Sequence, residues 1–184
     1  MKATGVVRRI DDLGRIVIPK EIRKILHIKE GDPLEIFTDK EGGIILKKYS
    51  PIGELSEFAT EYAETLATTT GHITCITDRD TVIAVAGGAK KEYFEKSISK
   101  EIEKVLENKE IYTSKENNEI SLPIVENDSK ERKFNSQIVY PITSQGDVIG
   151  SVILISKDAS KNMGEVELKV LQSAAGILGS QMEI

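Results

Sequence analysis

The residues best suited to chemistry crowd the start of the chain. Lys2, Arg8, Arg9, Arg15, Lys20, Arg23 and Lys24 fall within the first 24 positions, opposed only by Asp11, Asp12 and Glu21. An arginine guanidinium is a planar fork that hydrogen-bonds a phosphate or a guanine edge in pairs, whereas lysine offers a point charge. Arg8 precedes the turn candidate Asp11-Asp12-Leu13-Gly14 and Arg15 follows it, so antiparallel pairing brings the two close. Arg8 and Arg9 are neighbours in an extended run, so their side chains point to opposite faces unless the strand end twists. Arg23 and Lys24 lie on a short helix away from Ile22, Ile25 and Leu26. The chemistry on offer is anion binding, with double-stranded DNA the natural polyanion. A merely solvated basic surface is the plain alternative.

The bulk charge argues the other way until it is divided. The 184 residues carry a net charge of −5, but residues 1–50 hold 11 basic and 8 acidic side chains (+3), and the remainder 14 and 22 (−8). Two parts with different partners follow from that split.

Other chemistries find little support. One cysteine, Cys75, and two histidines, His27 and His72, make neither an internal disulfide nor a zinc-finger spacing. His72 and Cys75 face opposite sides of a strand, so core and surface roles are favoured over a metal or redox pair. Asp78 and Asp80 flank a turn and are expected to be solvated. Gly87-Gly88-Ala89 admits a close-lying ligand, but a turn is the simpler reading, and His27 is expected to cap or solvate a helix end. The chain has no phosphate-binding glycine loop, nucleophile elbow or HExxH run. Catalysis and a bound cofactor are therefore not expected. No apolar run approaches the ~20 residues of a membrane span, and the first residues do not form a signal peptide, so a cytoplasmic protein is expected.

The elements that position these residues can be read from periodicity. Residues 4–10 (TGVVRRI) and 15–18 (RIVI) read as strands, residues 19–26 as a short helix beginning at Pro19, and 34–38 and 44–48 as a hairpin. Some fifty residues without a disulfide or metal bury too little surface to stand alone, so a dimer sharing one core is expected for residues 1–50. Ser50-Pro51 marks the boundary, and residues 51–184 form the second domain. Helices are expected over 52–68, 97–107 and 164–182, the last opened by a capping box from Asn162 to Glu165. Strands are expected at 73–77, 82–86, 136–142 and 148–156. Residues 108–135 read as an exposed connection with one strand. Leu168 and Ile177 lie off the apolar face of the last helix and call for a second surface to cover them.

The run GVVRRIDDLGRIVIPKEIRKILHIKEGDPLEIF resembles the swapped-hairpin DNA-binding domain of the AbrB family of transition-state regulators, most specifically through DLGRIVIPKEIR. The junction KKYSPIGEL and the order of later elements resemble sporulation regulators whose second half is GAF-like. The resemblance implies an α+β chain: an intertwined, dimeric, mostly β barrel, followed by a GAF-like sandwich on a central antiparallel sheet. It implies DNA contact by Arg8, Arg15 and Arg23, with Lys24 where the family carries a further basic residue and Arg9 as a secondary contact. It also implies a degenerate operator read largely by shape, activation and repression of sporulation genes, and a nucleoid-associated bacterial regulator. Tetramers through the second domain and an unidentified small ligand in it complete the expectation. The alternative is an antitoxin-like regulator that binds a protein partner, because related swapped hairpins occur in toxin–antitoxin pairs.

Overall fold

The computed structural model describes residues 5–181 except 27, 51, 53–55, 115–120, 129–133, 159 and 162. Two compact units divide the chain, residues 1–49 and 50–184.

In the first unit, the expected strands over 4–10 and 15–18 do not form: residues 5–19 carry no strand, and residue 4 lies outside the described range. A strand exists only as one side of a ladder. Here Val7, Ile10, Leu13, Ile16 and Val17 stand 49–85% exposed, uncovered by the other described residues of their unit. Helix α1 (Lys20–Ile25) follows Pro19, which occupies the capping position just outside the helix and has no N–H to waste there. Glu21 in the first turn and Arg23 and Lys24 in the last suit the helix dipole. Strands β1 (Leu34–Thr38) and β2 (Ile44–Lys48) pair antiparallel, from Leu34 opposite Lys48 to Thr38 opposite Ile44. Asp39 closes their turn, its Oδ1 accepting the Gly43 N–H at 2.6 Å and the Glu41 N–H at 3.0 Å. No described residue between 5 and 49 is buried.

The second unit is built on one antiparallel sheet of five strands in the order β4-β3-β7-β6-β5. These are β3 (Ile73–Thr77), β4 (Val82–Ala86), β5 (Tyr112–Ser114), β6 (Ser136–Ser144) and β7 (Asp147–Ser156). Central β7 is buried along all but its first residue, as its dense β-branched and apolar residues (VIGSVILIS) require of a strand covered on both faces. Its side chains alternate between two cores. Val152 and Leu154 join Ile76, Leu66, Leu171 and Leu178 under α2 (Ser56–Thr70) and the last helix, whereas Ile153 and Ile155 join Cys75, Tyr93, Ile102 and Phe134 on the other face. That second face is covered by α3 (Lys90–Tyr93) and α4 (Lys100–Asn108), the latter capped by Ser99, whose hydroxyl accepts the Ile102 N–H.

Three expectations are corrected here. The stretch 108–135 does carry one strand, β5, but its described residues 121–125 are not an exposed connection. Ile124 and Val125 are buried, and the Gln137 side chain takes both backbone groups of Leu122, accepting its N–H at 2.7 Å and donating to its carbonyl at 3.0 Å. The last helix, α5 (Glu165–Ser180), starts where expected but is capped by a different pair: Gly164 is the capping residue, its N–H accepted by Glu167 Oε2 at 2.7 Å; Asn162 lies outside the described residues. Leu168 turns inward against the core, and the residues left over are Val166 (71% exposed) and Ile177 (41%). Spacing accounts for it: Leu168 lies three residues before Leu171 and seven before Ala175, on the stripe that α5 buries, whereas Val166 and Ile177 fall together on the opposite side.

Candidate nucleic-acid interface

Local devices place Arg15, Arg23 and Lys24, whereas Lys2 lies outside the described residues. Arg8 and Arg9 lie exposed on the segment before the Asp11–Gly14 turn. Arg15 follows the turn, which is closed by Asp11 N donating to the Arg15 carbonyl at 3.0 Å and by Gly14 N donating to the Asp11 carbonyl at 2.9 Å. Gly14 sits at φ +75°, a conformation a Cβ would penalise. The Asp11 carboxylate does the rest. Its Oδ1 accepts the backbone N–H groups of Leu13 (3.0 Å) and Arg15 (2.8 Å), and its Oδ2 accepts Arg15 Nε–H at 2.7 Å. Even so, the Arg15 side chain remains 69% exposed. The Asp11 carboxyl is held below its usual range, first by the Arg15 backbone N–H and then by the Arg15 guanidinium, so it is ionised at any pH where DNA is bound.

Arg23 is half-buried and Lys24 exposed in the last turn of α1. The structure thus joins Arg15 to Asp11 and sets Arg23 beside Lys24 on one helix. It records no contact linking Arg8, Arg9, Arg15 and Arg23 to one another. Asp11 is the residue of this arrangement that charge counting passes over, since it registers there only as a negative neighbour. Its signal was the aspartate-to-glycine turn itself, because an aspartate that opens such a turn bonds the backbone ahead of it.

Around this basic surface lies uncovered oil. Of the sixteen large apolar residues exposed among those described, thirteen belong to the first unit, from Val6 and Val7 through Ile25, Leu26 and Ile36 to Leu46 and Tyr49.

The second unit offers no reactive centre at the residues considered. Cys75 is fully buried, and desolvation pushes its thiol up to about 12, far from the thiolate needed of a nucleophile or ligand. His72 is buried beside α5, where desolvation, opposed by Glu167 and reinforced by Lys161, lowers its pKa, so it is neutral at physiological pH. The two residues serve different faces of the sheet. Asp78 is not simply solvated: Oδ1 accepts the N–H groups of Asp80 (2.8 Å) and Thr81 (2.6 Å), and Oδ2 accepts the Ser50 hydroxyl at 3.0 Å. Gly87, Gly88 and Ala89 all have positive φ and form the turn into α3, where a Cβ at Gly87 would press on the His72 carbonyl. His27 lies outside the described residues. Among the described residues no group of three or more acidic, histidine or cysteine side chains is placed to hold a metal ion, and no helix is long and apolar enough to cross a membrane. An open cleft of about 350 Å³ is lined by Glu92, Lys96, Ser97, Val125, Glu126, Asn127 and Asp128.

Comparison with known proteins divides at the same junction. Residues 54–183 match the family described as stage V sporulation protein T C-terminal, transcription factor, and residues 7–54 match antidote-toxin recognition MazE, bacterial antitoxin. Over 183 residues the chain is 51% identical to stage V sporulation protein T of Bacillus subtilis (strain 168), covering 100% of this chain and 99% of that protein. Residues of the first unit are 61% identical over 51 positions to the transition state regulatory protein AbrB of the same organism, covering 28% of this chain and 52% of AbrB. Among solved structures, the GAF domain of PixJ from Thermosynechococcus elongatus in its blue-light absorbing form superposes with a TM-score of 0.57 at 12% identity, covering 74% of this chain and 89% of that one. The second unit therefore has the GAF fold.

Proposed function

The chain belongs to the stage V sporulation protein T family, which comprises transcription factors and not enzymes, and from that premise we propose how its two parts divide the work. Residues 1–50 bind double-stranded DNA as an intertwined homodimer. Residues 51–184 join such dimers into tetramers and sense a small ligand. The protein works in the cytoplasm, on the nucleoid, and both activates and represses sporulation genes.

The observation that carries this reading is the state of the first unit. It combines exposed Arg8, Arg9, Arg15 and Lys24 with an apolar surface that the described residues of its own unit leave exposed. Burying a Val, Leu, Ile or Phe side chain is worth about 1.5–3 kcal/mol, so a second copy supplying strands to residues 5–19 would convert a marginal fold into a stable one. The arms are then strands only in the dimer, which accounts for their lack of a ladder here. Two copies double the +3 of residues 1–50 on a single body.

In this arrangement Arg15 and Arg23 present forks to the duplex, Arg8 supports them, and Lys24 contributes a phosphate contact without base discrimination. Arg15→Ala and Arg23→Ala are each expected to weaken DNA binding by tenfold or more while leaving the dimer intact, as read by titration of a fluorescent duplex alongside sedimentation. Unchanged affinity in both variants removes the assignment. An antitoxin-like, protein-binding regulator is the second reading, and the match of residues 7–54 speaks for it. Against it, a folded GAF-like unit stands where a toxin-wrapping tail would be. Co-purification with a small toxic protein would revive it.

A further inference from the structure

Taking the DNA-binding role of Arg15 as given by the reading above, we infer that Asp11 is a positioning residue that sets the selectivity of DNA binding by fixing the direction of the Arg15 guanidinium.

The carboxylate acts with both oxygens at once. One clamps the backbone of the turn through Leu13 N and Arg15 N, and the other holds Arg15 Nε at 2.7 Å. The side chain is thereby tied to the same rigid point as its own backbone, which removes most of the rotamer freedom an exposed arginine otherwise keeps. A guanidinium has five N–H donors. The bond to Asp11 engages the one on Nε and leaves the four terminal donors out of it, on a side chain that is 69% exposed. A held fork loses less entropy on binding and discriminates better between one edge and another than a swinging one.

The arrangement has an electrostatic cost. Asp11 places a negative charge next to the residue meant to meet phosphates, and that charge repels any duplex regardless of sequence. An ion pair of this exposure contributes little to stability, so folding does not explain why the turn should carry an acid in this position when asparagine would close it equally well. Asp11 therefore exchanges general affinity for selectivity. The two effects have opposite signs and can be separated.

The test is a double-mutant cycle in the full-length chain, using Asp11→Asn and Arg15→Lys singly and together. Asparagine keeps an oxygen for the backbone N–H groups but sets an amide against Nε–H and removes the charge. Lysine keeps the charge but has no Nε. The probes are a duplex enriched by the wild-type chain from a random pool and a duplex of the same composition in scrambled order. Asp11→Asn is expected to bind scrambled DNA a few-fold more tightly and to lose about tenfold in the ratio between the two probes. Arg15→Lys should lose the ratio to a similar degree, and the double variant should lose no more than either alone. A ratio unchanged in Asp11→Asn, with both affinities raised equally, shows a bare repelling charge and overturns the inference. Additive losses, or a fall in thermal midpoint that tracks the loss of binding, show a purely structural turn residue and overturn it too. Arg15→Ala serves as the control: if it binds both probes like the wild type, the DNA-binding reading itself has failed, and if it loses selectivity while Asp11→Asn does not, only the positioning role has.

Discussion

At the scale of single residues, ionisation states separate the two halves. Asp11 is stabilised as a carboxylate by N–H donors and a guanidinium. A depressed carboxyl pKa gives an interaction that is present above the ordinary pKa and lost as pH falls through the lowered one. The turn and the Arg15 orientation should therefore be constant from pH 8 to pH 5, and any change in DNA affinity over that range has another source. Amide and guanidinium chemical shifts around Arg15, followed through a pH titration, check this. Cys75 behaves oppositely. With its thiol pushed up to about 12 by burial, it should resist a thiol reagent at pH 8 in the native protein and react promptly in denaturant. Fast labelling of the folded chain would place Cys75 at a surface and contradict the packing of the second core. At this scale the sequence was informative about charge and silent about partners. The basic cluster stood out by composition, and the resemblance selected Arg8, Arg15 and Arg23 from it, but the arrangement at Asp11 depends on two oxygens bonding different groups, which no count of charges displays.

At the scale of elements, close packing supplies the sharpest prediction. Helix α5 lies against β6 with Gly179 directly over the Thr143 carbonyl, where a Cβ would collide with backbone. Gly179→Ala should therefore destabilise the second unit by about 1–3 kcal/mol, the usual cost of overpacking, despite alanine's better helix propensity. Denaturant unfolding measures it, and a stabilised variant would show that the helix can slide. On the outer side of the same helix, Val166 and Ile177 form an apolar stripe eleven residues apart in sequence and exposed in the single chain. If that stripe joins dimers, Val166→Asp with Ile177→Asp should lower the sedimenting species from tetramer to dimer without altering the fold. A tetramer that survives both charges would move the contact elsewhere.

Elements were legible where periodicity was strong. The four longer strands of the second unit fall within about two residues of their expected ends because their alternation or unbroken apolar character is dictated by burial on one or both faces. Residues 121–125 were misread because their surroundings are polar: what buries them is a long-range bond from Gln137 and the cap at Ser99, neither visible within a local window. The strands expected over 4–10 and 15–18 are the instructive case. Their β-branched residues are right for strands, yet a single chain gives them nothing to pair with. The pattern was read correctly as a propensity and incorrectly as an element, since the ladder is a property of more than one segment.

At the scale of the whole molecule, the account is one of unequal halves. Residues 50–184 bury two cores on either side of a sheet, whereas residues 5–49 bury no described side chain at all. If the proposed dimer stabilises this unit, its unfolding midpoint should rise with protein concentration by mass action. DNA binding should also weaken with salt, the logarithm of affinity falling by about 0.9 per neutralised phosphate for each unit of log salt. A slope near zero would indicate a partner other than a polyanion.

The central claim is that the arms carrying Arg8, Arg9 and Arg15 are completed by a second copy of the chain. It is tested most directly by nuclear Overhauser contacts in full-length protein mixed from two pools, one labelled at valine, leucine and isoleucine methyls and the other at the remaining positions and unlabelled there. The account predicts strong contacts between chains from Val7, Ile10, Ile16 and Val17. Contacts from those methyls confined to their own chain, in a protein that nevertheless binds DNA, would contradict it.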